Sequence, residues 1–90
     1  MGRTVAAFSL ALADYYKDLK PFRRQLDPPE QKAFDQMFES VRPHTYAAVY
    51  MGSPDPSTPI ILSMMLEMHK RIDNLEERLA ILQKRLEDLK

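Results

Sequence analysis

The sequence predicts an all-α protein of three helices: two shorter, kinked helices packed on the base of a long C-terminal coiled-coil helix. Three observations carry this. Apolar residues recur at 3–4 spacing in each of three segments. Proline and glycine cluster between those segments rather than within the last one. The final segment keeps its apolar spacing for four heptads.

The first helix is expected over about residues 6–26. Phe8, Leu12, Tyr15, Leu19, Phe22 and Leu26 are spaced 4-3-4-3-4 and form one stripe. Pro21 interrupts the ladder, because it has no N–H and its ring crowds the carbonyl of Lys17. It also biases Lys20 away from helical geometry. The stripe keeps phase across the proline, so a kinked helix is expected, with two abutting helices as the alternative.

Asp27-Pro28-Pro29-Glu30 is a helix start. Asp27 suits the cap, Pro28 the first helical position and Glu30 the capping-box position. Phe34, Met37, Phe38 and Val41 then share one face. Pro43 should kink or end this helix, and Gly52 should stop its continuation through Tyr46–Met51. Residues 1–52 thus read as a helical hairpin and residues 53–58, rich in Pro and Ser, as a linker. Pro56-Ser-Thr-Pro59 matches PxxP. The preferred reading is a helix start, with Thr58 as cap and Pro59 in the first position.

The third helix is expected over 59–90 as the oligomerisation element. Ile61, Met65, Met68, Ile72, Leu75, Leu79, Leu82, Leu86 and Leu89 alternate by 4 and 3. Met65, Ile72, Leu79 and Leu86 take the a positions and the others d. At 1.5 Å per residue this rod is roughly 46 Å long, against roughly 30 Å for each earlier segment. Its end, from Glu76 to Lys90, should therefore project with its leucine edge uncovered, and a second copy is the simplest cover. Ile60, Leu62, Met64 and Leu66 lie off that edge and should be covered by the first two helices. Arg71, Arg78 and Arg85 fall at g. Parallel pairing sets Arg71 against the partner's Glu76, whereas antiparallel pairing brings arginines together, so parallel is preferred. Leucine at both a and d also admits four strands.

Ninety residues make one small domain with a marginal core of its own, which oligomerisation can reinforce. There is no Cys, so disulfides and thiolate metal sites are excluded, and a reducing interior such as the cytoplasm fits. Thirteen basic residues balance thirteen acidic ones, which gives no long-range pull toward polyanions. No apolar run reaches the ~18 residues that span a bilayer, so no membrane partner is expected. MGRTVAAFSLALAD is short and thin in basic residues for a secretory leader, and Ala6 stands where a myristoylation signal has Ser or Thr.

Candidate chemistry is sparse. Neither His44 nor His69 has a carboxylate at the spacing used by bundle metal sites. Asp35 and Glu39 share a helix face without a histidine and read as solvated. No metal, cofactor or catalytic residue is expected, and no phosphate-binding or nucleophile motif is present. Lys17, Lys20, Arg23 and Arg24, interleaved with Phe22, form the one basic cluster. Cations of this kind position phosphate and aromatics stack on bases, so a small dimeric nucleic-acid-associated protein is the second reading. Asp18 dilutes the cluster. The leading reading is a non-enzymatic homo-oligomeric interaction or scaffold module, a homodimer first, with a further protein partner of unknown identity.

Met1-Gly-Arg-Thr-Val5, Phe22-Arg-Arg24, Phe34-Asp35, His44 with Ala47-Ala48, Asp55-Pro56 and Leu62-Ser-Met-Met-Leu-Glu67 resemble small archaeal proteins of unknown function that open with MGRTVP. The resemblance spans most of the chain. Ala6, Pro21 and Pro43 depart from that pattern. It implies an archaeal, cytoplasmic setting and supplies no catalytic residue.

Overall fold

The computed structural model describes residues 4–90. The N-terminal Met1-Gly-Arg3 of the resemblance lies outside them. Among the described residues there are only helices: α1 (Val5–Asp18), α2 (Lys20–Arg24), α3 (Pro28–Glu39), a 3-10 turn (Arg42–His44), α4 (Thr45–Met51) and α5 (Ser57–Asp88). The fold is all-α, with a long C-terminal helix packed against shorter ones.

Each of the two expected kinked helices is divided. Thr4 caps α1 by accepting the Ala7 N–H at 3.0 Å. The stripe then breaks at Leu19, whose backbone leaves the helical region with φ −93° and ψ 3°. Pro21 sits in the first turn of α2, where its missing N–H leaves no bond unmade. The proline constraint is thus absorbed at Leu19, and abutting helices replace the kink. The same logic holds at Pro43. It lies inside the 3-10 turn, which separates α3 from α4.

The start of α3 is as expected: Asp27 and Glu30 form the capping box, and the Asp27 N–H donates to Glu30 Oε1 at 3.1 Å. Gly52 ends α4 in the left-handed region, φ 61° and ψ 31°, which costs a residue without Cβ nothing. The start of α5 differs from expectation. Thr58 is inside the helix rather than at its cap. Asp55 supplies the cap chemistry instead, its Oδ1 accepting from the Ser57 N–H at 3.1 Å and the Ser57 hydroxyl at 2.7 Å. Those bonds hold the Asp55 carboxyl below its ordinary pKa. Pro59 still falls in the first turn, where it breaks no intrahelical bond.

Phe8, Leu12, Phe34, Phe38, Val41, Ala48, Ile60 and Met64 form the core, with Tyr15, Tyr16, Leu19, Leu26 and Val49 packed on it. Tyr16 meets Phe38 edge-on at 5.1 Å between ring centres, and Phe34 lies 5.2 Å from Phe38. Phe22, the fifth residue of the first stripe, is the exception: it is exposed, its ring centre 6.0 Å from that of Phe34.

Helix α5 takes part in this core only at its base. Pro59, Ile60, Ser63 and Met64 are buried. Leu62 and Leu66 are not covered as expected and stay half-exposed, at 52% and 50%. The cause is helical phase: Ile60 and Met64, one turn apart, share the face that meets α1 and α4, and Leu62 lies some 200° away from Ile60. From Met68 to Lys90 every residue is exposed. The projecting part therefore begins eight residues before Glu76, and the molecule measures 62 × 33 × 16 Å.

Candidate self-association surface

Two features define what this architecture can do: an uncovered apolar edge on α5, and the polar ties that hold α5 and α1–α3 in place beneath it.

The edge is the heptad seam. Ile61, Met65, Met68, Ile72, Leu75, Leu79, Leu82, Leu86 and Leu89 are all exposed, between 44% and 83%. Ile61 and Met65 run beside the buried stripe, and the rest continue along the stalk with no neighbouring element. The 32-residue helix has no internal Gly or Pro beyond its first turn, so the edge is presented on one unbroken rod. Ile81 is also half-exposed, off the seam.

Beyond the Asp55 bonds at its start, one side-chain hydrogen bond ties α5 to the rest of the described protein. His44 Nε2 lies 2.8 Å from Glu67 Oε2, with both side chains 16% exposed. Lys70 Nζ approaches the same oxygen at 3.0 Å. His44, then Lys70, hold the Glu67 carboxyl below the usual carboxylate range. This tie sits at the last turn before the stalk becomes free. No spacing rule could have found it, because the partners are far apart in sequence. His69, by contrast, stays on the surface and meets Asp73 of its own helix at 3.4 Å.

The basic cluster is only partly a cluster. Arg23 forks onto Asp35, Nε to Oδ1 at 2.9 Å and Nη2 to Oδ2 at 2.8 Å. The Tyr16 hydroxyl donates to the same Oδ1 at 2.7 Å. Arg23 foremost, then Tyr16, pull the Asp35 carboxyl down to about 2, while Asp35 pushes the Tyr16 hydroxyl and the Arg23 guanidinium up. Gln31 adds a bond to the Arg23 carbonyl at 3.1 Å. Arg23 therefore fastens α2 to α3. Lys17, Lys20 and Arg24 remain exposed around Phe22.

The carboxylates Asp35 and Glu39 are separated in function: Asp35 belongs to Arg23 and Tyr16, and Glu39 accepts from Arg42 Nε at 2.6 Å. A shallow cleft of about 390 Å³ runs between α1 and α3, over Leu12, Ala13 and Phe38 with Asp35, Glu39 and Arg42 at its rim. Every charged group at that rim is already paired. Among the described residues no three His, Asp or Glu side chains gather at a distance that could hold a metal ion. No helix there is long and apolar enough to cross a membrane.

A small helical bundle with a protruding, apolar-edged helix defines an all-α protein of bundle-and-stalk form. The chain belongs to the family described as Domain of unknown function (DUF8156), which matches it over residues 1–90. No curated protein and no solved structure matches the chain.

Proposed function

We propose that this protein is a non-enzymatic interaction module that self-associates through the seam of α5 and presents its bundles at one end of a paired stalk. The observation that carries the reading is the free half of α5. From Met68 to Lys90 the helix has no tertiary contact that buries a residue, yet it keeps a full a/d repeat. Solvent-side helices spend those positions on polar residues. Burying a Leu side chain contributes on the order of 1.5–3 kcal/mol, so pairing would reinforce a small core. Parallel pairing is preferred, since Arg71 then faces the partner's Glu76 while the antiparallel form opposes arginines. The cytoplasmic, archaeal setting rests on the resemblance and on the absence of Cys.

The test is mass in solution. Light scattering over a range of concentrations should give a species larger than the 10.5 kDa chain. A Leu79→Lys/Leu82→Lys variant should give a smaller one with the bundle intact. A single chain at every concentration, with the seam folded back on its own protein, would sink the reading.

A second reading, a nucleic-acid-associated oligomer, is favoured by exposed Phe22 lying among exposed Lys17, Lys20 and Arg24. It expects salt-sensitive retention on DNA or RNA that is lost in Lys17→Ala/Lys20→Ala/Arg24→Ala. Absence of retention at low salt removes it.

A further inference from the structure

The stalk carries opposite charges on its two flanks. We infer that parallel copies of α5 pack flank to flank, Arg71 and Arg85 of one chain against Asp73 and Glu87 of the next, in a closed ring of more than two chains. The inference rests on the seam proposed above as an association surface and adds the contacts that set the number of strands.

Beside the seam, the heptad places positions g and c on one flank and e and b on the other. The first flank carries Arg71, Asn74, Arg78, Ile81 and Arg85, with no carboxylate among them. The second carries Asp73, Glu76, Ala80, Gln83 and Glu87, with no cation among them. His69 precedes these on the second flank, 3.4 Å from Asp73. Lys70, Glu77 and Lys84 lie between the flanks, on the face away from the seam. All these side chains are exposed. The rod does not neutralise its own arginines. Residues three and four apart are neighbours on a helix. At that spacing Arg78 has only Asn74, Leu75, Ile81 and Leu82, and Arg71 has only Glu67, which His44 and Lys70 already hold. Arg85 has Asp88 in reach. Among the described residues none of the three arginines forms an ion pair. Two strands alone do little better. They bring g against the partner's e, so Arg71 meets Glu76 but Arg78 meets Gln83 and Arg85 meets Lys90, a like charge.

The occupant is the opposite flank of a further copy, and charge complementarity argues for it. With copies parallel and level, each arginine of the first flank stands within two residues, about 3 Å along the axis, of a carboxylate on the second. Arg71 stands by Asp73, Arg78 by Glu76 and Arg85 by Glu87. At the tip the signs reverse on both flanks together, so Asp88 stands by Lys90. Ile81, the apolar residue of the first flank, stands by Ala80. Two like-charged approaches remain, Asp88 to Glu87 and Arg71 to His69 when it is protonated. Each is answered by an opposite charge within two residues, Lys90 and Asp73. Antiparallel copies instead meet like flank on like flank and oppose arginines. Flank-to-flank contact is heterologous, and it closes when successive rotations complete a ring. In such a ring each neighbour lies off the seam and onto a flank, which brings b and c within reach. Leucine at both a and d admits more than two strands. The bundle covers Ile60 and Ser63, on the side of α5 away from the seam, so it lies outside the ring.

Native mass spectrometry and light scattering on the full chain test this, with circular dichroism to verify helicity. More than two chains are expected for the natural sequence. Asp73→Arg/Glu87→Arg makes both flanks basic, and Arg71→Glu/Arg85→Glu sets acid against acid. Each variant alone should give a smaller species with its helix kept. Mixed in equal amounts they should regain the natural mass, because each supplies the flank that the other lacks. The chain carrying all four substitutions should regain it by itself, and it serves if either pair alone loses helix. A natural protein of two chains that Asp73→Arg/Glu87→Arg leaves unchanged overturns the flank contact and leaves the seam standing, since b positions lie outside a two-stranded contact. A larger assembly that ignores both pairs, or that neither the mixture nor the four-fold variant restores, also overturns the flank contact alone. Single chains at every concentration overturn it and the seam reading together.

Discussion

His44 Nε2 and Glu67 Oε2 stand 2.8 Å apart, and they bind the 3-10 turn to α5 at the last turn before the stalk leaves the bundle. The bond is partly shielded from water, so it is stronger than a surface contact of the same length. His44→Ala should lower the urea midpoint of the bundle. Glu67→Gln, which keeps an acceptor for His44, should lower it less. Equal, negligible effects in both variants would show that the tie contributes nothing.

Stability should depend on acid in a defined direction. The Asp35 and Glu67 carboxyls titrate lower in the folded protein than in the unfolded chain, Asp35 at about 2. Their contribution is therefore complete above the unfolded carboxylate range, about 4 to 4.5, and is lost as pH falls through the folded values. Denaturant midpoints measured from pH 7 to pH 2 should fall over that window. Asp35→Asn should lower the midpoint at pH 7 and flatten the decline. A parallel decline in the variant would remove Asp35 as its source.

Core position should outweigh apolar character. Ile60 is fully buried and Leu10 is exposed, although both sit on helices. Ile60→Ala should cost about 2–5 kcal/mol, and Leu10→Ala should stay within about 0.5 kcal/mol. Urea unfolding at low protein concentration separates them. Similar losses at both sites would contradict the placement of α5's base.

Gly52→Ala should destabilise the protein by about 1–2 kcal/mol, the cost of a Cβ in the left-handed region, because Gly52 turns the chain out of α4 at φ 61°. Thermal unfolding checks it. An unchanged midpoint would mean that the turn can be remade without that conformation.

The parts of this fold that could be read from sequence are those set by local repetition. The stripe of α5 needs only a 3–4 period, and the capping box at Asp27 only its four residues. Pro21 and Pro43 mark where helices are interrupted, but whether a chain kinks or divides depends on which residue absorbs the constraint, here Leu19. Leu62 and Leu66 read as covered in the sequence because α5's base is apolar all round, and a helix apolar all round does not say which side its neighbours take. Arg23 counts as a cation in the sequence. Only the fold brings Asp35 and Tyr16 to it. The His44–Glu67 tie is tertiary in the same sense, and composition holds no trace of it.

Because α5 is a single helix whose first turns are locked into the bundle, its outer half never has to nucleate. The costly first turn is already wound when Met68 is reached, and each further residue only propagates. The rod should fray inward from Lys90, and hydrogen-exchange protection should decay along it in that order. Any partner that grips the leucines would thus meet a surface being wound from the bundle outward, and recognition would close like a zipper from base to tip.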